Sequence, residues 1–303
     1  MTDPLQYLRD LQVAAIPRAR PPLPRPVAPQ AKVPAPAAAQ AGFLDPCDLP
    51  ALAMQILAEG RAANPPAPAP RRYLQRCVLP GGARCSLPIR YFDARCLIAT
   101  FATERARARE ALQRFGLQPA GDDAEAAVLF GCFEYRDTDL GPYNEVALSL
   151  PAVAPGDDEP ALFVLQLPVT TAETDRIGRA LWGYPKFVAG IDISGDSRAF
   201  STHLRDGAGA AIAAFEGVFA PLSPSPPTDF ATYSMLGDRL LRTRIEALTP
   251  FQQGDGAGFS LQVGPSSHPM TQALRALGLD GARPSRVRYA DPYQTLLFPG
   301  FPV

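Results

Sequence analysis

Lysine is nearly missing from this sequence: 303 residues hold two, Lys32 and Lys186, against 27 arginines. Histidine is as scarce, with only His203 and His268, and the five cysteines form no C-x-x-C pair. Zinc centres need Cys and His at short, fixed spacings, so no metal site of that kind is expected. Cys47, Cys77, Cys85, Cys96 and Cys132 are odd in number and scattered, which fits reduced thiols buried as small hydrophobes rather than a disulfide framework. A surplus of positive charge is also lacking. The formal net charge is -1 and the pI ≈ 6.2, with acids and arginines interspersed, so no electrostatic footprint for nucleic acid is present. No run approaches the roughly 18 apolar residues of a membrane span, and MTDPLQYLRDLQ carries charges where a secretory signal needs an apolar stretch. These absences point to a cytoplasmic protein with a small molecule or another protein as partner.

Proline is abundant but unevenly placed. Residues 17 to 42 are mostly proline, alanine and arginine, and NPPAPAP at 64 to 70 forms a second such patch. Both hold too little apolar mass for a core. Residues 1 to 70 therefore read as a flexible N-terminal arm with one or two short helices, at 3 to 15 and from Asp48-Leu49-Pro50 to Gly60. A spacer and a docking segment for a protein partner are both open readings of this arm.

From residue 71 onward, with 47% hydrophobic residues in the chain, a sizeable core is expected. Short β-type runs dominate: 95 to 102, 127 to 135, 144 to 153, 161 to 169, 187 to 193, 199 to 205, 210 to 219, 239 to 248 and 258 to 264. Three helices interrupt them: Glu104 to Phe115 with Thr103 as cap, Ala172 to Trp182 behind Thr171, and Met270 to Leu277 closed by Gly278. Strand and helix do not alternate, which argues against a doubly wound sheet. The expected class is α+β, mainly β: an antiparallel sheet curled into a barrel or cone with a few outer helices.

The single lysine of this body, Lys186, follows a Gly-Tyr-Pro corner in GRALWGYPK (178 to 186), downstream of GPYNEVAL (141 to 148). In this order the two motifs resemble the acetoacetate decarboxylase family. The resemblance implies a mainly β, cone-like barrel, a homo-oligomer, Lys186 as Schiff-base lysine and Glu145 as active-site glutamate. It also implies a carboxylate-binding arginine on an early strand, at or beside Arg95, with Arg90 as a weaker match. Glu134, Tyr143 and Tyr184 are further candidates to contact substrate. One position departs from the family: its decarboxylases carry a second lysine after the first, where this chain has Phe187. An amine must be neutral to attack a carbonyl, and an adjacent cation or an apolar pocket can make it so; acetoacetate decarboxylase is itself the standard example of this activation. With Phe187 next in sequence, the apolar pocket is the remaining route.

Strand parity bears on the site without reference to any family. Along 144 to 150, Glu145, Ala147 and Ser149 share one face, and Val146, Leu148 and Leu150 take the other. If the bulky face packs outward, the small face lines a cavity holding a carboxylate. Together these readings give a Schiff-base-forming lyase on a small oxo acid, most simply the decarboxylation of a 3-oxo acid, without metal or organic cofactor. Aldolase or dehydratase chemistry on 2-oxo acids through the same lysine, and a non-catalytic ligand-binding barrel, are the alternatives.

Overall fold

The computed structural model of the chain describes residues 75–78, 84–121, 124–157 and 159–303. The expected arm, 1 to 70, lies outside the described residues. A hairpin of Gln75–Val78 (β1) and Arg84–Leu87 (β2) precedes the long strand Ile89–Glu104 (β3) and the helix Arg105–Gln113 (α1). After Gln118–Pro119 (β4) come Glu125–Thr138 (β5), Tyr143–Val153 (β6) and Ala161–Val169 (β7), then the helix Ala172–Trp182 (α2). Lys186–Val188 (β8), Gly190–Gly195 (β9), Ala199–Arg205 (β10), Ala211–Val218 (β11) and Ser223–Ser225 (β12) follow. The last part adds Phe230–Leu236 (β13), Arg239–Ala247 (β14), Phe251–Asp255 (β15), Phe259–Val263 (β16), the helix Pro269–Ala276 (α3), Arg286–Ala290 (β17) and Thr295–Pro302 (β18).

Seven strands close into a barrel in the order β3, β18, β14, β13, β7, β6, β5, with β5 pairing back onto β3. The mainly β class with few helices stands. Its sheet is mixed rather than purely antiparallel, because β13 and β8 both run parallel to β7. A second sheet, β16-β11-β10-β9, shares a hydrophobic core with the outer face of the barrel. Leu97, Phe101 and Phe130 from the barrel meet Phe200 and Phe215 from the second sheet there, and α1 and α3 add Leu112 and Leu274. The apolar mass is thus packed outside the barrel wall, and the barrel interior is left for a cavity.

Local chemistry explains most boundaries. Thr171 caps α2 by accepting a bond from the Thr174 N–H at 3.3 Å, and Glu173 and Asp175 place negative charge at the positive end of the helix dipole. Gly183 ends α2 in the left-handed region with φ +63, and a Cβ there would run into the Met235 carbonyl. The start of α1 differs from expectation. Pairing of β3 with β5 continues to Glu104↔Glu125, and the Thr103 hydroxyl donates to the Leu277 carbonyl at 2.6 Å instead of capping the helix. The run 187 to 193 is two strands, split at Ala189, in two different sheets. Of the three helices, α2 presents Thr174, Gly178 and Trp182 to the barrel cavity, anchored by a 2.8 Å bond from the Trp182 indole N–H to the Phe298 carbonyl.

Candidate active site

The corner after α2 sets the lysine. Gly183 reverses the chain, the Lys186 amide donates to the Tyr184 carbonyl at 2.7 Å, and β8 pairs Lys186 beside Leu167 of β7. Alternation on this strand turns Lys186 into the barrel and Phe187 out of it. Phe187 packs on the His268 ring with centroids 4.1 Å apart, and His268 caps α3 through Nδ1. On β6, Glu145, Ala147 and Ser149 line the cavity, while Val146, Leu148 and Leu150 lie in the outer core. The Lys186 ammonium nitrogen contacts Glu145 Oε2 directly, with side chains only 7% and 10% exposed. These two carry the only charges among the described residues that line the cavity.

The cavity measures about 110 Å³ and is otherwise aromatic and apolar. Around the pair stand the rings of Tyr91, Tyr135, Tyr143 and Phe133. Tyr135 lies 4.5 Å from Tyr91 and 4.7 Å from Tyr143 between ring centroids, and stacks on Phe133 at 5.6 Å. Its hydroxyl reaches Glu145 Oε1 at 3.5 Å, and the hydroxyls of Tyr91 and Tyr143 are 3.3 Å apart. Tyr184 shares a 2.7 Å bond with Thr232. Burial first, then the Glu145 charge among the other causes, pushes the Tyr91, Tyr135 and Tyr143 phenols well above their usual range. Burial raises Tyr184 and Tyr293 as well.

Folded-state values above the unfolded value mean the native protein holds these protons longer than the unfolded chain does. Stability that is intact below pH 10 is therefore expected to fall above it, by about 1.4 kcal/mol per pH unit for each of these tyrosines, as the unfolded chain ionises. Phenolate absorbance and thermal unfolding followed together from pH 8 to 12 check this; phenolate from these buried rings appearing near pH 10 without unfolding contradicts it.

Two expected substrate contacts are placed elsewhere. Arg95 and Glu134 are cross-strand partners on β3 and β5, with Arg95 Nη2 to Glu134 Oε2 at 2.8 Å. Arg95 shares its parity with Leu97, Ala99 and Phe101, which face the outer core, whereas Ile98 faces the cavity. It donates to the Gly195 carbonyl and lies 5.8 Å over the Phe200 ring of the second sheet. Glu134 has the opposite parity to the inward residues of β5, which are Leu129, Gly131, Phe133 and Tyr135. Arg90 also stays off the cavity lining and pairs with Asp139 at 3.4 Å. Of these candidates, Lys186, Glu145, Tyr143 and Tyr184 come together on the cavity.

Sequence reasoning missed Tyr135, Tyr91 and Gly178. Parity along AVLFGCFEY singles out Tyr135, which pairs directly with Tyr143. The signal for Gly178 was its position eight residues before the lysine, one turn of helix and a corner away, which only the fold turns into a contact: a Cβ at Gly178 would overlap Lys186 Cδ and Cε.

No curated protein sequence matches this chain. Among solved structures, acetoacetate decarboxylase from Legionella pneumophila subsp. pneumophila str. Philadelphia 1 is similar with a TM-score of 0.55 at 18% identity, over 82% of this chain and 95% of that one. A structure of the enduracididine biosynthesis enzyme MppR complexed with pyruvate gives 0.53 at 17%, over 71% and 90%. At such identities these likenesses establish a shared fold. The family model for acetoacetate decarboxylase (ADC) matches residues 79–236, just over half of the sequence and the stretch that carries both Glu145 and Lys186. The chain belongs to the acetoacetate decarboxylase family.

Proposed function

We propose that the protein decarboxylates a small 3-oxo acid through a Schiff base at Lys186. The observation that carries this reading is a buried amine held on a carboxylate inside a cavity with no other charged lining residue described. Proton transfer along the Lys186–Glu145 contact produces a neutral amine and a carboxylic acid without moving a heavy atom. The nitrogen lone pair then adds to the C3 carbonyl carbon. The oxygen leaves as water, taking one proton from the amine and one from Glu145, and an iminium remains. The C1–C2 bond breaks, its electron pair passes to the iminium, and CO2 departs from a neutral enamine. Protonation of C2 and hydrolysis by water return the amine and release a ketone, with one solvent proton consumed overall. A substrate carboxylate in this site meets aromatic faces and a second carboxylate, so its release as CO2 relieves an unfavourable charge.

Aldol-type chemistry on a 2-oxo acid retains the carboxylate in the product and asks for a cation that holds it throughout. A fold neighbour was captured with pyruvate, but in this chain Arg95 is turned to the second sheet, which favours decarboxylation. No cofactor enters the proposed reaction.

Borohydride added with acetoacetate is expected to fix one adduct at Lys186, located by peptide mass, with CO2 released in its absence. Glu145→Gln keeps the size of the side chain but not its proton, and is expected to lower turnover by about 10²–10⁴-fold. An unmodified Lys186 in the intact protein would falsify the Schiff-base reading.

A further inference from the structure

The cavity does not end at the reacting pair. Along β5 and β6 the inward residues face each other in register: Tyr135↔Tyr143, Phe133↔Glu145, Gly131↔Ala147 and Leu129↔Ser149. Strands rise about 3.4 Å per residue, so the Leu129↔Ser149 rung lies about 14 Å along the wall from the carboxylate rung. The rung between them is made of the two smallest side chains in the wall. Beyond it the lining is mostly apolar: Ser149 neighbours Val164 on β7, and Leu162 and Phe230 lie at that end. The Phe133 ring lies over Gly131, where an added Cβ would come within 2.7 Å of it. About 10–15 Å³ suffices to admit one water, so the 110 Å³ of this cavity leaves room beyond the reacting carbons.

We propose that the part of the cavity beyond Gly131 and Ala147 is an alkyl-chain subsite, so that the substrates are 3-oxo acids with a tail longer than that of acetoacetate. The inference rests on Lys186 as the Schiff-base amine and adds the substrate class. With C3 at the amine, the carboxylate carbon lies on one side of it and the tail on the other. The tail runs past Ala147 toward Leu129, Val164 and Phe230, away from the tyrosine hydroxyls around Glu145. Burying each added methylene against these side chains raises kcat/KM about fourfold.

The test compares 3-oxobutanoate, 3-oxohexanoate and 3-oxooctanoate as substrates of the full chain, alongside borohydride fixation of acetone, 2-pentanone and 2-heptanone at Lys186. The expected result is a gain of about 15-fold in kcat/KM from the four- to the six-carbon acid, and tighter fixation of the longer ketones. Ala147→Leu, which fills the small rung, is expected to reduce that gain to about one. Fixation of acetone without any gain with chain length in the unaltered protein overturns the subsite and leaves the amine chemistry standing. Failure of every ketone to label Lys186 overturns both.

Discussion

Lys186→Met is expected to remove borohydride labelling and to lower 3-oxo acid turnover by about 10⁶-fold, the scale on which loss of a covalent nucleophile acts. Methionine keeps an unbranched, apolar stem on the Gly178 face of α2, so the loss is one of chemistry and charge rather than packing. It also strands Glu145. A carboxylate 7% exposed as a residue and deprived of its cation destabilises the fold by about 3–5 kcal/mol. Thermal unfolding at neutral pH is expected to show this as a lowered midpoint. In Lys186→Met/Glu145→Gln the buried charge is gone as well, and most of that stability returns while turnover does not. The pair thus separates the two roles of the lysine. If the single variant is as stable as the unaltered protein, Glu145 is not held as a buried partner and the site geometry described above fails.

Gly178→Ala is the second large effect, and its sign runs against helix propensity. Alanine in the interior of a helix is better than glycine by about 1 kcal/mol, so a purely structural glycine would tolerate the change. Here the new methyl group occupies the space of Lys186 Cδ and Cε. The helix backbone is held by the Thr171 cap, the Gly183 corner and the Trp182 anchor, and the lysine stem is the softer party. It is displaced, and the amine leaves its position on Glu145. A misplacement of about 1 Å at a reacting atom lowers the rate by about 100-fold. Steady-state kinetics and thermal unfolding, measured together, are expected to give a large fall in kcat with little or no loss of stability. Unchanged kcat would show that the lysine stem does not use the bare face of α2.

Much of the fold was legible because its signals are local. Caps and stops named α2 to the residue, alternation marked most of the barrel strands, and the parity of 144 to 150 separated the cavity face of β6 from its core face. Eight strands fall outside the expected runs: the short β1, β2, β4 and β12, and the longer β13, β15, β17 and β18. Two of the longer ones, TLLFPGFP and FQQGD, carry proline or glycine, and all four gain strand structure from neighbours far along the chain. The parallel pairing of β13 with β7 joins residues some 70 positions apart, and no local pattern encodes it.

By itself the sequence determined a mainly β body, a lysine at a glycine-proline corner and a glutamate on the small-residue face of a strand. These follow from steric preferences and side-chain alternation, which act over a few residues. Only the tertiary structure decided that the inward faces enclose a cavity while the apolar bulk packs outside, that Arg95 serves the second sheet, and that Gly178 lies under the lysine. Closure of the barrel by β3 and β5 brings those faces together. Which side of a strand is enclosed depends on that closure, because alternation separates two faces without saying what either will meet.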